Sequence, residues 1–123
     1  MATLGNRVFD NGLTVLDTEA NAIHVTSQEA TTYTEATSTY TLGNSTSLSI
    51  NAPADRNGGG RKVTVAAITD GSITADGTAT HYAIVDTSNS RLLATAALTA
   101  SQSVTDGNTF TLATFDIGIP DPA

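Results

Sequence analysis

The sequence predicts an all-β protein, an antiparallel β-sandwich or barrel-like domain with one or two short helical turns ahead of the main sheet. Two observations predict it. After Arg61, β-branched and apolar residues recur in short blocks: Lys62–Ile68, Ala79–Val85, Arg91–Thr95 and Thr109–Phe115. Turn residues separate the blocks at Asp70-Gly71, Asp76-Gly77, Ser88-Asn89-Ser90 and Asp106-Gly107. Strands punctuated by turns about every ten residues are the pattern of an antiparallel sandwich or barrel.

The elements follow in order. Residues 1–10 are expected to form an extended N-terminal arm, closed by the turn signal Asp10-Asn11-Gly12. Leu13, Leu16 and Ala20 fit one face of a short helix; a strand over Leu13–Leu16 fits nearly as well, because short apolar runs are ambiguous. Ala22–Ser27 reads as a strand with Ile23 and Val25 on one face. Thr32-Tyr33-Thr34-Glu35 has capping-box spacing, which predicts one to two helical turns stopping near Leu42-Gly43. Leu48 and Ile50 alternate with Ser47, Ser49 and Asn51 as in a short strand. Residues 52–60, with three consecutive glycines at Gly58–Gly60, form a loop. Asp76-Gly77 predicts a hairpin joining Ser72–Thr74 to Thr78–Val85. Asp86–Ser90 turns that strand into Leu92–Ala97, and Asp106-Gly107 joins Ser101–Val104 to Thr109–Ile117 in a last hairpin. Val63, Val65, Ile68, Ile84, Leu92, Phe110, Leu112 and Phe115 supply the bulky core.

The expected organisation is therefore a single β domain over residues 1–123: the arm at 1–10, an N-terminal segment with its Gly-rich loop at 11–60, the main sheet at 61–118 and a tail at 119–123, held extended by Pro120 and Pro122. At 123 residues the chain buries enough surface to fold without metal or disulfide, and it has no cysteine.

Charge narrows the partners. Only 14% of residues are charged and the net charge is −7. Arg7, Arg56, Arg61, Lys62 and Arg91 are the five basic residues, too few and too scattered to neutralise a phosphate backbone or an anionic bilayer. Nucleic-acid and membrane binding are not expected. The first seven residues, MATLGNR, lack the apolar core of a signal peptide, and no apolar run is long enough to span a bilayer.

Chemistry-bearing residues are scarce. His24 and His81 each lie in a predicted strand, without further ligands at metal-binding spacing, and read as ordinary strand histidines. No Gly-x-Ser-x-Gly elbow accompanies them. Asp70, Asp76 and Asp106 precede glycine and Asp86 opens a turn, so turn chemistry accounts for them without a catalytic carboxylate pair. Asn57-Gly58-Gly59-Gly60-Arg61-Lys62 lacks the ending of a phosphate loop and reads as a connector. Tyr82 is expected in the core, whereas Tyr33 and Tyr40 lie in a polar stretch from which they could face a partner. No catalytic, cofactor-binding or metal-binding residue is assigned, and no enzymatic activity or cofactor is expected.

Several phrases resemble a known class. LTVLDTE at Leu13–Glu19, TSQEATTYTEATSTY at Thr26–Tyr40, RKVTVAAITD at Arg61–Asp70 and TATHYAIVDTSNSRLLAT at Thr78–Thr95 look like small structural proteins of tailed bacteriophages and prophages. So does the ending GNTFTL at Gly107–Leu112, followed by Phe115-Asp116-Ile117 and Pro120. The resemblance covers most of the second half and implies a virion component, made in the host cytoplasm and carried in the particle. The expectation is a capsid decoration (cement) protein that binds the major capsid protein and copies of itself, clustered as a trimer as known decoration proteins are. A tail or fibre component touching a host glycan is the alternative, and a small hydrolase the alternative from another class. Ala2–Asp10 and Ile117–Ala123 are the segments expected to reach a neighbour.

Overall fold

The computed structural model describes residues 5–119; Ala2–Leu4 and Pro120–Ala123, within the expected contact segments, lie outside them. The protein is mostly β. Helix α1 (Asn6–Glu19) and strand β1 (Ala22–Thr26) are followed by a π-helical turn (Glu35–Thr39). Then come β2 (Thr41–Ser45), β3 (Ala54–Asp55), β4 (Arg61–Val65), β5 (Ile68–Ile73), β6 (Gly77–Asp86), β7 (Arg91–Val104), β8 (Thr109–Leu112) and β9 (Phe115–Ile119). The strands form two antiparallel sheets, β7-β6-β1-β2-β5-β8 and β3-β4-β9. The described residues condense into two compact units, one of residues 5–19, 49–67 and 113–119 and one of residues 20–48 and 68–112.

In the first unit, α1 packs on β4. Its composition is poor for a helix, with Asn11, Gly12 and six β-branched or Asp residues, so burial must hold it. Phe9, Leu13 and Leu16, spaced four and three apart, are all buried, and Val63 and Val65 of β4 are buried as well. The arm expected over residues 1–10 is thus helical from Asn6, and Asp10-Asn11-Gly12 lies inside the helix. At Gly12 an added Cβ would meet the Ile119 Cδ1 at 4.0 Å, an ordinary contact. Gly12→Ala should therefore stabilise the protein by about 0.5–1 kcal/mol, because Ala loses less backbone entropy in a helix. A higher urea midpoint checks this, and a lower one would show that Ile119 has no room to give.

The second unit is a six-stranded sheet that curls. Laid flat, its edge strands β7 and β8 would be about 24 Å apart, five strand spacings. They are joined by Thr105–Asn108 alone, a link whose five Cα steps reach at most about 17 Å. The Asp106-Gly107 turn is present, with Gly107 at φ 90°, but its two strands lie at opposite edges rather than pairing as a hairpin. Asp76-Gly77 likewise joins strands that do not pair, since β1 and β2 stand between β5 and β6. The link crosses the end of β2, where the N–H groups of Thr74 and Ala75 donate to the Leu42 carbonyl at 2.8 and 3.3 Å.

Strand β1 lies within the sheet and is buried at every residue. The N-terminal segment therefore supplies interior strands of the larger sheet rather than an annex to residues 61–118. Alternate residues face opposite sides. Ala22, with Ala83 and Val85 of β6, is covered by Ala30 and Ala36, against which Tyr33, Tyr40 and Leu92 pack. Ile23, Val25 and Ile84 fill the other side and are inaccessible or nearly so.

The capping box forms in part. The Glu35 N–H donates to Thr32 Oγ1 at 3.1 Å, but the Glu35 carboxylate accepts from the N–H and hydroxyl of Thr31, not Thr32, at 2.8 and 2.7 Å. The helical turn stops at Thr39, short of Gly43, which instead pairs with Val25 and Ile73 in β2. A Cβ at Gly43 would strike the Ser72 carbonyl oxygen, so close strand approach explains the glycine better than a helix stop. Asp70-Gly71 is a bulge inside β5 rather than a turn, with Gly71 opposite Phe110. The Leu48–Asn51 strand reduces to a single bridge between Ile50 and Val65.

Of the expected core, Val63, Val65, Ile68, Ile84 and Phe110 are buried. Leu92, Leu112 and Phe115 are only half-buried, because they lie on edge strands or at strand ends where neighbours cover one side.

Candidate functional site

The histidines are far apart in role. His24, 7% exposed, has Nδ1 2.8 Å from Thr41 Oγ1. His81 Nδ1 lies 2.8 Å from Thr80 Oγ1. Burial pushes the His24 pKa below its ordinary 6.5. The unfolded chain therefore takes up a proton that the folded one resists, so the contribution of His24 is fully present above pH 6.5 and is lost as the pH falls from there through the folded value. Urea stability should drop between pH 7.5 and pH 5, and His24→Gln should shrink that drop; an unchanged drop would assign it to other groups.

The carboxylates hold structure together. Asp70 accepts the hydroxyls of Ser45 at 3.1 Å and Ser47 at 2.7 Å, and these bonds hold its carboxyl below the usual range. Asp86, 2% exposed, opens the β6–β7 turn by accepting the Asn89 amide at 2.8 Å and the Ser88 N–H at 3.0 Å, which lowers its pKa in turn. Asn21 clamps the same turn, its Oδ1 accepting the Thr87 N–H at 2.9 Å. Asp76 accepts the Asp106 N–H at 2.8 Å. Arg61 is gripped at both ends: its Nε and Nη2 donate to Asp10 at 2.8 and 3.2 Å, and its Nη1 to Asp55 at 2.6 Å. No buried side-chain nitrogen or oxygen lacks a partner, and no His/Asp/Glu group with metal-site geometry exists among the described residues. Tyr33 and Tyr40 pack against the alanine cluster, and Tyr82 is half-buried in β6.

What remains outward-facing is surface. Strand β7, fourteen residues long, forms one edge of the larger sheet and is exposed or half-buried along its whole length. Its sequence, RLLATAALTASQSV, has Arg91 as its single charge. Between the β6 pairs at Ala79 and His81, its register jumps from Gln102 to Ala97, so Leu98–Ser101 bulge out of the ladder. Sequence reasoning placed a strand only over Leu92–Ala97 and a second from Ser101. The alternation that would mark a half-buried strand is lost where few residues touch a core.

A second feature lies in the first unit: a polar cleft of about 390 Å³ lined by Arg56, Asn57, Lys62, Asp116 and Gly118. Lys62 donates to Asp116 at 3.0 Å and Thr64 Oγ1 donates to the same carboxylate at 2.7 Å, which lowers the Asp116 pKa. The nearness of Arg56, Arg61 and Lys62 was visible in the sequence. That the hairpin β3–β4 sends Arg61 to Asp10 and Asp55 while leaving Arg56 and Lys62 beside a cleft was not.

Comparison with family models, with curated proteins and with solved structures finds no match to this chain.

Proposed function

We propose that this protein is a structural component of a tailed-phage virion, a capsid decoration protein that binds the major capsid protein on the head shell and associates with its own copies, clustered at local threefold points. The reading rests on the phrase-level resemblance and, in the structure, on β7. A long exposed strand of Ala, Thr, Leu, Ser and Gln with one charge offers contact area with little charge desolvation. Carboxylates committed to turns and ion pairs suit a scaffold. A protein that binds the assembled lattice and not the free subunit stabilises the lattice by mass action, and repetition around the shell multiplies weak contacts.

Particles assembled with and without the protein test the reading. Decorated heads should survive heating that bursts bare ones, labelling should place hundreds of copies on the head, and moderate salt should leave most of them bound. Equal resistance of bare and decorated heads would refute the cement role. Labelling confined to the tail would move the protein to the tail or fibre.

A further inference from the structure

We infer that the cleft lined by Arg56, Asn57, Lys62, Asp116 and Gly118 is a binding site for a single carboxylate, presented by an acidic side chain of the protein against which this one docks. The source of the carboxylate rests on the proposed function; the site itself does not.

Three observations build it. Arg56 is held in place rather than free to sweep. Its Nη1 donates to the carbonyls of Asn57 at 3.4 Å and Gly59 at 3.1 Å, and its stem lies over the backbone of Gly118. A Cβ at Gly118 would come within 2.9 Å of Arg56 Cδ and 3.1 Å of Nε, so the glycine provides the seat. With Nη1 occupied, Nε and Nη2 donate to no group among the described residues, and together they form the edge of a guanidinium that grips a carboxylate in two parallel bonds.

Lys62 lines the same cleft and adds a second cation. Its partner Asp116 shares its charge with Thr64, so Lys62 is not consumed by a bidentate pair as Arg61 is. Asp116 also sets the valence. Arg56 and Lys62 against Asp116 leave a cleft of net +1, which suits a monoanion and disfavours a dianionic phosphate. The rest of the molecule sharpens the contrast. The chain is acidic overall, with a net charge of −7, and this is where two of its five basic residues line one cavity.

The three positive-φ glycines gain a purpose in this reading. Gly58, Gly59 and Gly60 have φ of 88°, 101° and 89°, a run only glycine tolerates. It folds the chain back so that the Gly59 carbonyl reaches the Arg56 guanidinium.

The test is an NMR titration of the full chain, following the Arg56 Nε–H and the amides of Asn57 and Gly118. N-acetylglutamate N-methylamide should shift these signals saturably at millimolar concentration. Arg56→Gln should weaken binding at least tenfold. Because Arg56 also ties down the glycine loop, Gly118→Ala provides a second variant, which displaces the guanidinium while keeping its charge, and it should weaken binding similarly. Asp116→Asn, which raises the cleft to +2, should tighten binding about threefold to tenfold. No saturable shift, an unchanged affinity in both Arg56→Gln and Gly118→Ala, or tighter binding of inorganic phosphate than of the carboxylate would overturn the site. Glucuronate binding with no binding of the glutamate amide would overturn the protein source. If Arg56→Gln protein decorates heads as tightly as wild type, the source assignment falls while the shell reading stands. If neither decorates heads, the shell reading falls and the titration still decides the site.

Discussion

Phe110→Ala should destabilise the protein by about 3–5 kcal/mol, the range for truncating a buried aromatic. Phe110 is 4% exposed on the edge strand β8, an unusual place for so buried a ring. The reason is its partner. It stands directly opposite Gly71 at the β5 bulge, and the ring lies where the Gly71 side chain would be: an added Cβ there would overlap the ring edge at Cδ1, Cε1 and Cζ. The aromatic residue covers the glycine, and the glycine admits the ring. The pair should therefore behave as one unit. Gly71→Ala alone should cost about 1–3 kcal/mol through overpacking. In the double variant the new methyl enters space the ring has vacated, so the two losses should fall short of their sum by more than about 0.5 kcal/mol. Urea denaturation of the four proteins measures all three quantities. A Phe110→Ala loss below about 1 kcal/mol, or strict additivity, would mean that the ring merely lies beside the glycine.

The mutual fit of Gly71 and Phe110 also shows where sequence reasoning stopped. Asp-Gly is a turn signal because glycine relieves φ, and at Asp106-Gly107 it is a turn. At Asp70-Gly71 the same dipeptide sits inside a strand, and the need for glycine comes from a residue 39 positions away. Local chemistry does not distinguish the two cases. The same limit hid the topology. The blocks Lys62–Ile68 and Thr109–Ile117 read as continuous strands, yet each breaks, at Ala66-Ala67 and Ala113-Thr114, and its halves enter different sheets. Alanine and threonine interrupt nothing in a hydrophobic pattern. The class of the fold was legible because it needs only period-two blocks and turns. Strand order was not, because it depends on which edges meet. Helix α1 was half legible: the Leu13 and Leu16 spacing was present, but Asn11-Gly12 masked its start until Phe9 was seen on the same face. The Arg56 cleft needed three segments brought together by β4 pairing with both β3 and β9, which no local motif announces.

Ile84→Ala is the second large effect, expected at about 2–5 kcal/mol, with Ile84→Val at about 0.5–1.5 kcal/mol. Ile84 is 0% exposed in the C-terminal half of β6, paired with Ile23 of β1 on one side and Ala94 of β7 on the other. Against a total stability of about 5–15 kcal/mol, the alanine variant removes a large share. Ile23, also fully buried, faces the same side, so Ile23→Ala and Ile84→Ala should couple by at least about 0.5 kcal/mol, since each enlarges the same cavity. Additive losses would place the two side chains in separate pockets. One strand over, the outcome should invert. Thr99 and Ala100 lie in the exposed bulge of β7 and touch little of the core, so replacing either with Lys should change stability by no more than about 0.5 kcal/mol. If β7 is the contact surface, those same replacements should still weaken attachment to the head, because a charge there must be desolvated without a partner. Stability and attachment would then be governed by adjacent strands of one hairpin, β6 inward and β7 outward. A Thr99→Lys protein that folds normally and decorates heads normally would remove β7 from the contact.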